Sequence, residues 1–171
     1  MLFGRTEELN RLNEYYDGTV NSLVMLYGRS NIGKTALIRE FIKGKKAFYY
    51  NSALASEKEQ IELLAENMIS AGLVEDDEYE GIKELASDDT YAQYAHLLKN
   101  TAKIDSDTKL IVIEEFQNIV KNNKNFMAVI DDLVRGKFYN DKVMVIVTSS
   151  SVSWVENSMV SAIGNHAMAI S

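Results

Sequence analysis

Residues 22–41 read SLVMLYGRSNIGKTALIREF, and the reading of this stretch decides the fold. Ser22–Tyr27 is a short apolar run, which predicts a buried strand. From Lys34 to Lys43 the apolar residues return at helical spacing. Leu37, Ile38, Phe41 and Ile42 share one face, and Gly44 stops the helix. Between strand and helix, Gly28-Arg29-Ser30-Asn31-Ile32-Gly33-Lys34-Thr35 fits G-x-x-x-x-G-K-[ST]. The mechanism of that motif requires this placement. Gly28 and Gly33 let the backbone wrap tightly, so successive N–H groups can point inward at phosphate oxygens. The Lys34 ammonium can reach the β- and γ-phosphates, the Thr35 hydroxyl can ligate Mg²⁺, and the start of the helix at Ala36 adds its positive end. The nucleotide-binding candidates are therefore Gly28, Arg29, Ser30, Asn31, Ile32, Gly33, Lys34, Thr35 and Ala36.

Outward from this loop the chain alternates strand and helix. Towards the N-terminus, Thr6 can cap a helix with Leu9, Leu12 and Tyr16 on one face, ended by Asp17-Gly18. Towards the C-terminus, strands are expected at Ala47–Asn51, Lys109–Ile113 and Lys142–Thr148, with a fifth at Ala167–Ser171. Helices are expected over 57–71, from about Asp89 to Ala102, over about 124–135, and near 152–162. Glu75–Glu80 reads as an acidic surface stretch. Continuously apolar strands alternating with helices predict a parallel sheet covered on both faces, in one domain over residues 1–171.

The strand KLIVI runs into Glu114-Glu115. Backbone alternation turns neighbouring side chains to different sides, so one acid can face a metal shell and the other the γ-phosphate. Glu114 is the metal-side candidate with Thr35, and Glu115 the candidate for polarising an attacking water. A GTPase would need an Asn-Lys-x-Asp guanine reader, and Asn123-Lys124-Asn125-Phe126 lacks the aspartate.

Four segments together resemble a known family: FGRTEELNRL, YGRSNIGKTALIREF, LIVIEEFQNI and VIVTSSSVSWVE. They are similar to the archaeal-type ATPase domain, an AAA-like, STAND-type P-loop NTPase found in archaea and bacteria. The resemblance covers about residues 2–166. It implies a three-layer α/β P-loop sandwich with strand order 5-1-4-3-2, ATP rather than GTP, and Phe3, Gly4 and Arg5 near the adenine end of the site. It also implies that the chain ends before a helical lid. Three departures stand out. The family's usual Asp-Glu is Glu114-Glu115 here. Its Gly-Ser-Ser is Thr148-Ser149-Ser150-Ser151, which leaves Thr148 or Ser150 as the polar sensor of the γ-phosphate or water. Its frequent Gly-Arg is Gly164-Asn165, which removes a source of transition-state charge and implies slow turnover.

Composition narrows the remaining choices. The 171 residues carry a formal net charge of −7, and no global basic field favours direct binding to nucleic acid or an anionic membrane. There is no cysteine, which excludes thiolate metal sites and cysteine nucleophiles. No apolar run approaches a membrane span, and Met1 opens no secretory signal, so the chain reads as cytoplasmic. His96 and His166 have no partner at metal spacing. Tyr49-Tyr50 reads as core plus rim with one ring able to border a nucleotide, and Trp154 as packing for a short helix. The expectation is Mg²⁺-dependent binding of ATP or ADP with slow hydrolysis, coupled to a protein partner or downstream domain. The alternatives are a non-hydrolysing ATP sensor and a nucleic-acid-associated AAA-like ATPase.

Overall fold

The computed structural model describes residues 5–85, 89–121, 123–159, 163 and 166–171. Five strands, β1 (Ser22–Tyr27), β2 (Ala47–Asn51), β3 (Thr108–Glu114), β4 (Lys142–Ser149) and β5 (Ala167–Ala169), form one sheet in the order β2-β3-β4-β1-β5. Every pairing is parallel. This is the expected 5-1-4-3-2 order, counted from the other edge.

The apolar runs are continuous because both sheet faces are covered. Side chains alternate along a strand, so each run supplies two cores. Val24 and Leu26 of β1, Leu110 and Val112 of β3, and Met144 and Ile146 of β4 pack on one face. They meet Leu12 of α1 (Thr6–Asp17) and Leu37, Ile38 and Phe41 of α2 (Lys34–Ile42). On the other face, Met25, Ile111, Ile113, Val145 and Val147 lie against α3 (Glu57–Ser70), α5 (Thr90–Leu98) and α7 (Lys124–Val134). Phe126 of α7 is fully buried beside Tyr94 and Phe116. Burying such a side chain contributes about 1.5–3 kcal/mol. Two cores built this way can carry charged groups held out of water at the strand ends.

The local expectations differ from the structure in a few places. Thr6 is the first residue of α1, not its cap; Arg5 precedes it and makes no side-chain cap bond. The acidic stretch 75–80 is the N-cap, Glu75, and the first part of a helix, α4 (Asp76–Lys83). Its first turn carries Asp76, Asp77 and Glu78, which suit the positive end of a helix, while Tyr79 and Ile82 are buried three residues apart. The helix expected to reach Ala102 is α5, capped by the Asp89 side chain, followed by a 3₁₀ segment over Lys99–Lys103. A short α6 (Gln117–Val120) follows β3. The helix expected near 152–162 is one turn, α8 (Val152–Trp154), running into a π-helical turn over Val155–Met159; positions 160–162 lie outside the described residues. No helix among the described residues is long and apolar enough to cross a membrane.

Candidate nucleotide-binding site

The loop between β1 and α2 lies at the C-terminal edge of the parallel sheet, and both of its glycines are required by geometry. A Cβ on Gly28 would sit 2.3 Å from the Ile170 carbonyl oxygen, so the loop can pass β5 only without a side chain there. Gly33 has φ +102° and occupies the N-cap of α2, a left-handed position that suits glycine. No side chain caps α2, so its first N–H groups remain available to an anion.

Lys34 is 6% exposed. Its ammonium donates to the Gly28 carbonyl at 2.6 Å and the Arg29 carbonyl at 2.8 Å. Burial pulls its pKa below the ordinary lysine value, opposed by the charges of Glu115 and Glu114. Beside it, the Thr35 hydroxyl donates to Glu114 Oε1 at 2.9 Å. Glu114 closes β3 and is 4% exposed; its Oε2 accepts from the Tyr49 hydroxyl on β2. Desolvation raises the Glu114 pKa, with the Thr35 hydrogen bond acting in the opposite direction.

Glu115 has φ +56°, a left-handed conformation that a non-glycine residue adopts at some cost in strain. Its backbone N–H donates to Thr148 Oγ1 at 3.1 Å. Its carbonyl accepts from Ser52 Oγ at 2.6 Å. Its side-chain Oε2 accepts from Ser150 Oγ at 2.7 Å and Gln117 Nε2 at 2.6 Å. The structure thus divides the two hydroxyl candidates: Thr148 braces the backbone of the acid, and Ser150 reaches its carboxylate.

Lys34, Thr35, Glu114 and Glu115 line one cavity of about 390 Å³, together with Ser30, Asn31, Gly33, Ala36 and Asn51. The cavity joins the loop to both acids. Among the described residues no cluster of three or more His, Cys, Asp or Glu side chains could hold a metal ion. The donors at hand are one hydroxyl and one carboxylate, hard oxygen ligands that suit Mg²⁺ when phosphate and water oxygens complete its shell. The donor set fits the ion as a companion of nucleotide phosphates.

Residues 2–170 match the family described as an ATPase domain found predominantly in Archaea. The chain belongs to that family. An uncharacterised protein of Methanocaldococcus jannaschii is 28% identical over 161 residues, covering 94% of this chain and 32% of its own length. The Cdc6p structure from Pyrobaculum aerophilum superposes with a TM-score of 0.65 at 13% identity, covering the whole of this chain and 46% of that one. The Orc1 protein of Aeropyrum pernix, solved in complex with DNA, gives 0.61 at 18% identity with the same coverage. This ATPase domain therefore spans about a third of that relative and under half of each solved chain. The two structural likenesses show the shared fold.

The other residues singled out from the sequence fall into four groups. Arg5 donates to the Ile32 carbonyl and the Ser171 carbonyl, both at 2.9 Å, so it ties the start of the chain to the back of the loop and to the end of β5. Arg29 is exposed and Ile32 packs against the core; neither lines the cavity. Phe3, Gly4, Gly164 and Asn165 lie outside the described residues. His166 packs edge-on against Tyr15 at 4.8 Å between ring centroids, while Trp154 packs on the core with Lys121 over its ring at 5.7 Å. Four contributors were not anticipated: Asn51 at the end of β2, Ser52 just after it, Gln117, and the hydroxyl of Tyr49 as a donor to Glu114. The alternation that turns Tyr50 into the core turns Tyr49 and Asn51 to the opposite side, which is the one sequence signal that could have found those two.

Proposed function

We propose that this chain is the core domain of an ATPase that binds Mg·ATP at the loop cavity and hydrolyses it slowly, coupled to a partner or further domain. The convergence of Lys34, Thr35, Glu114 and Glu115 on one cavity carries this reading. On it, Lys34 exchanges the Gly28 and Arg29 carbonyls for the β- and γ-phosphates. The N–H groups of residues 30–35 and the uncapped start of α2 take the remaining phosphate oxygens. Thr35 and Glu114 would hold the magnesium ion, which when bound neutralises phosphate charge. Glu115 sits across the cavity from the loop lysine and acts on the attacking water, holding its proton as the γ-phosphate is approached. Ser150 orients that carboxylate, and Thr148 keeps its backbone in place. The family resemblance implies Phe3, Gly4 and Arg5 as contributors to base binding; of these Arg5 is described, and it anchors the loop through the Ile32 carbonyl. Turnover is slow because a neutral amide at Asn165 stands where the family resemblance implies an arginine, and it cannot balance charge growing on the phosphate oxygens.

Two other readings remain in contrast. A non-hydrolysing sensor would use the same binding groups without the Glu115 step. Direct nucleic-acid binding is disfavoured by the net charge of −7. Calorimetry of ATP with Mg²⁺ tests the binding claim: Lys34→Ala should stay folded and lose ATP binding. Unchanged affinity in a folded Lys34→Ala protein would contradict the assignment.

A further inference from the structure

Gln117 stands in the first turn of α6, two residues beyond Glu115, and its amide group has an unusual environment. Its Nε2 lies 2.6 Å from Glu115 Oε2 and 3.5 Å from Ser150 Oγ. An ionised carboxylate only accepts hydrogen bonds, so the amide atom facing it must be the nitrogen. That orientation leaves Gln117 Oε1 buried with no hydrogen-bond partner among the described residues. A buried amide with an unpaired oxygen adds little to folding, and an apolar side chain of similar shape would serve a purely structural role as well or better.

The segment around Glu115 is otherwise fixed. The Glu115 backbone N–H is held by Thr148 Oγ1, and its carbonyl accepts from Ser52 Oγ and from Asn118 N–H at 2.9 Å. The next residue, Phe116, is fully buried and donates its N–H to the Thr148 carbonyl at 2.8 Å. Side-chain rotation is the freedom left to Glu115. Gln117 and Ser150 both take hold of Oε2, and Oε1 makes no hydrogen bond among the described residues.

We propose that Gln117 is a positioning residue: its amide clamps Glu115 Oε2, so that Oε1 is presented to the attacking water. The inference rests on the water-polarising role given to Glu115 above. Because the clamp acts through Glu115 and touches no phosphate, its loss should leave nucleotide binding alone.

The test is Gln117→Met, which keeps length and removes the donor, made in the wild-type and the Glu115→Gln backgrounds. In the wild-type background phosphate release should fall about tenfold or more, since misplacing a reacting group by about 1 Å can cost about a hundredfold. The Mg·ATP dissociation constant should stay within about twofold, and the melting temperature should be unchanged or raised. In the Glu115→Gln background the same substitution should cost nothing further, because the two residues act as one unit. Wild-type turnover by a Gln117→Met protein that still depends on Glu115 overturns this proposal alone. A further loss in the Glu115→Gln background, or a lowered melting temperature with weakened ATP binding, overturns it too by assigning Gln117 another role. Equal turnover by wild type and Glu115→Gln overturns the parent reading, and the positioning role falls with it.

Discussion

The two acids at the end of β3 are neighbours in the chain and opposites in their surroundings. Glu114 belongs to the sheet: it is buried, its two oxygens are met by the Thr35 and Tyr49 hydroxyls, and desolvation raises its pKa. Glu115 has already left the sheet. Its left-handed backbone is braced by Thr148 and Ser52, and one carboxylate oxygen is gripped by Gln117 and Ser150. Burial with hydroxyl partners suits a group that must hold a cation beside the loop. A strained, over-determined backbone, with one carboxylate oxygen making no hydrogen bond among the described residues, suits a group that must aim at a reacting molecule. One peptide step thus separates two different environments, which the proposed function turns into two tasks.

The largest effect expected from breaking this pairing is at Glu115. Glu115→Gln should lower phosphate release by about a hundredfold or more, the usual scale for a general base, while ATP affinity stays intact or rises. Equal rates in a phosphate-release assay would remove Glu115 from the mechanism. Glu114→Ala should act on the other side of the comparison. Its ATP affinity should no longer respond to Mg²⁺, whereas wild-type affinity should rise about tenfold or more on adding the ion, the scale of a lost ion-holding contact. Calorimetry with and without the metal checks this, and a preserved Mg²⁺ response would exclude Glu114 as a metal holder.

A third change tests the scaffold beneath both acids. Gly28→Ala drives a methyl group against the Ile170 carbonyl and must displace β5 or the loop. Overpacking of this kind costs about 1–3 kcal/mol, so thermal unfolding should move down by several degrees and ATP binding should weaken with it. An unshifted melting temperature would show that β5 yields without cost.

The smallest effect concerns the pH dependence of stability. The folded-state pKa of Glu114 lies above its unfolded value, so the folded protein binds more protons between the two. The stability associated with protonated Glu114 is present below the ordinary glutamate range and is lost as pH rises through the folded pKa. Glu114→Gln should therefore melt higher than wild type at neutral pH, with the difference closing as the pH falls below the ordinary glutamate range. Parallel melting curves at every pH would contradict the desolvation of Glu114.

The same contrast explains what the sequence revealed. Strand existence, the sheet order and the loop were legible because long apolar runs and a spaced glycine-lysine motif are dictated locally, and the order followed from the family resemblance. The helix α4 was hidden because acidic residues dominate its first turn and only Tyr79 and Ile82 mark the inward face. At the site, Glu114 and Glu115 stood out as residue types at a strand end. Their supports did not. Tyr49, Ser52 and Gln117 reach the acids through parallel strand register and a tight turn, as in the Asn51–Glu114 alignment, and such neighbours across a crossover leave no periodicity in the chain. The left-handed conformation of Glu115 was equally hidden, because no glycine or asparagine announces it.

The division of labour between the two acids can be read most directly by replacing Mg²⁺ with Mn²⁺ and recording the paramagnetic resonance of the Mn²⁺–ATP complex bound to wild type, Glu114→Ala and Glu115→Gln. The spectrum should change in Glu114→Ala, where a carboxylate is lost from the ion's surroundings, and should be the same in Glu115→Gln as in wild type. A spectrum altered by Glu115→Gln and untouched by Glu114→Ala would reverse the assignment and contradict the account.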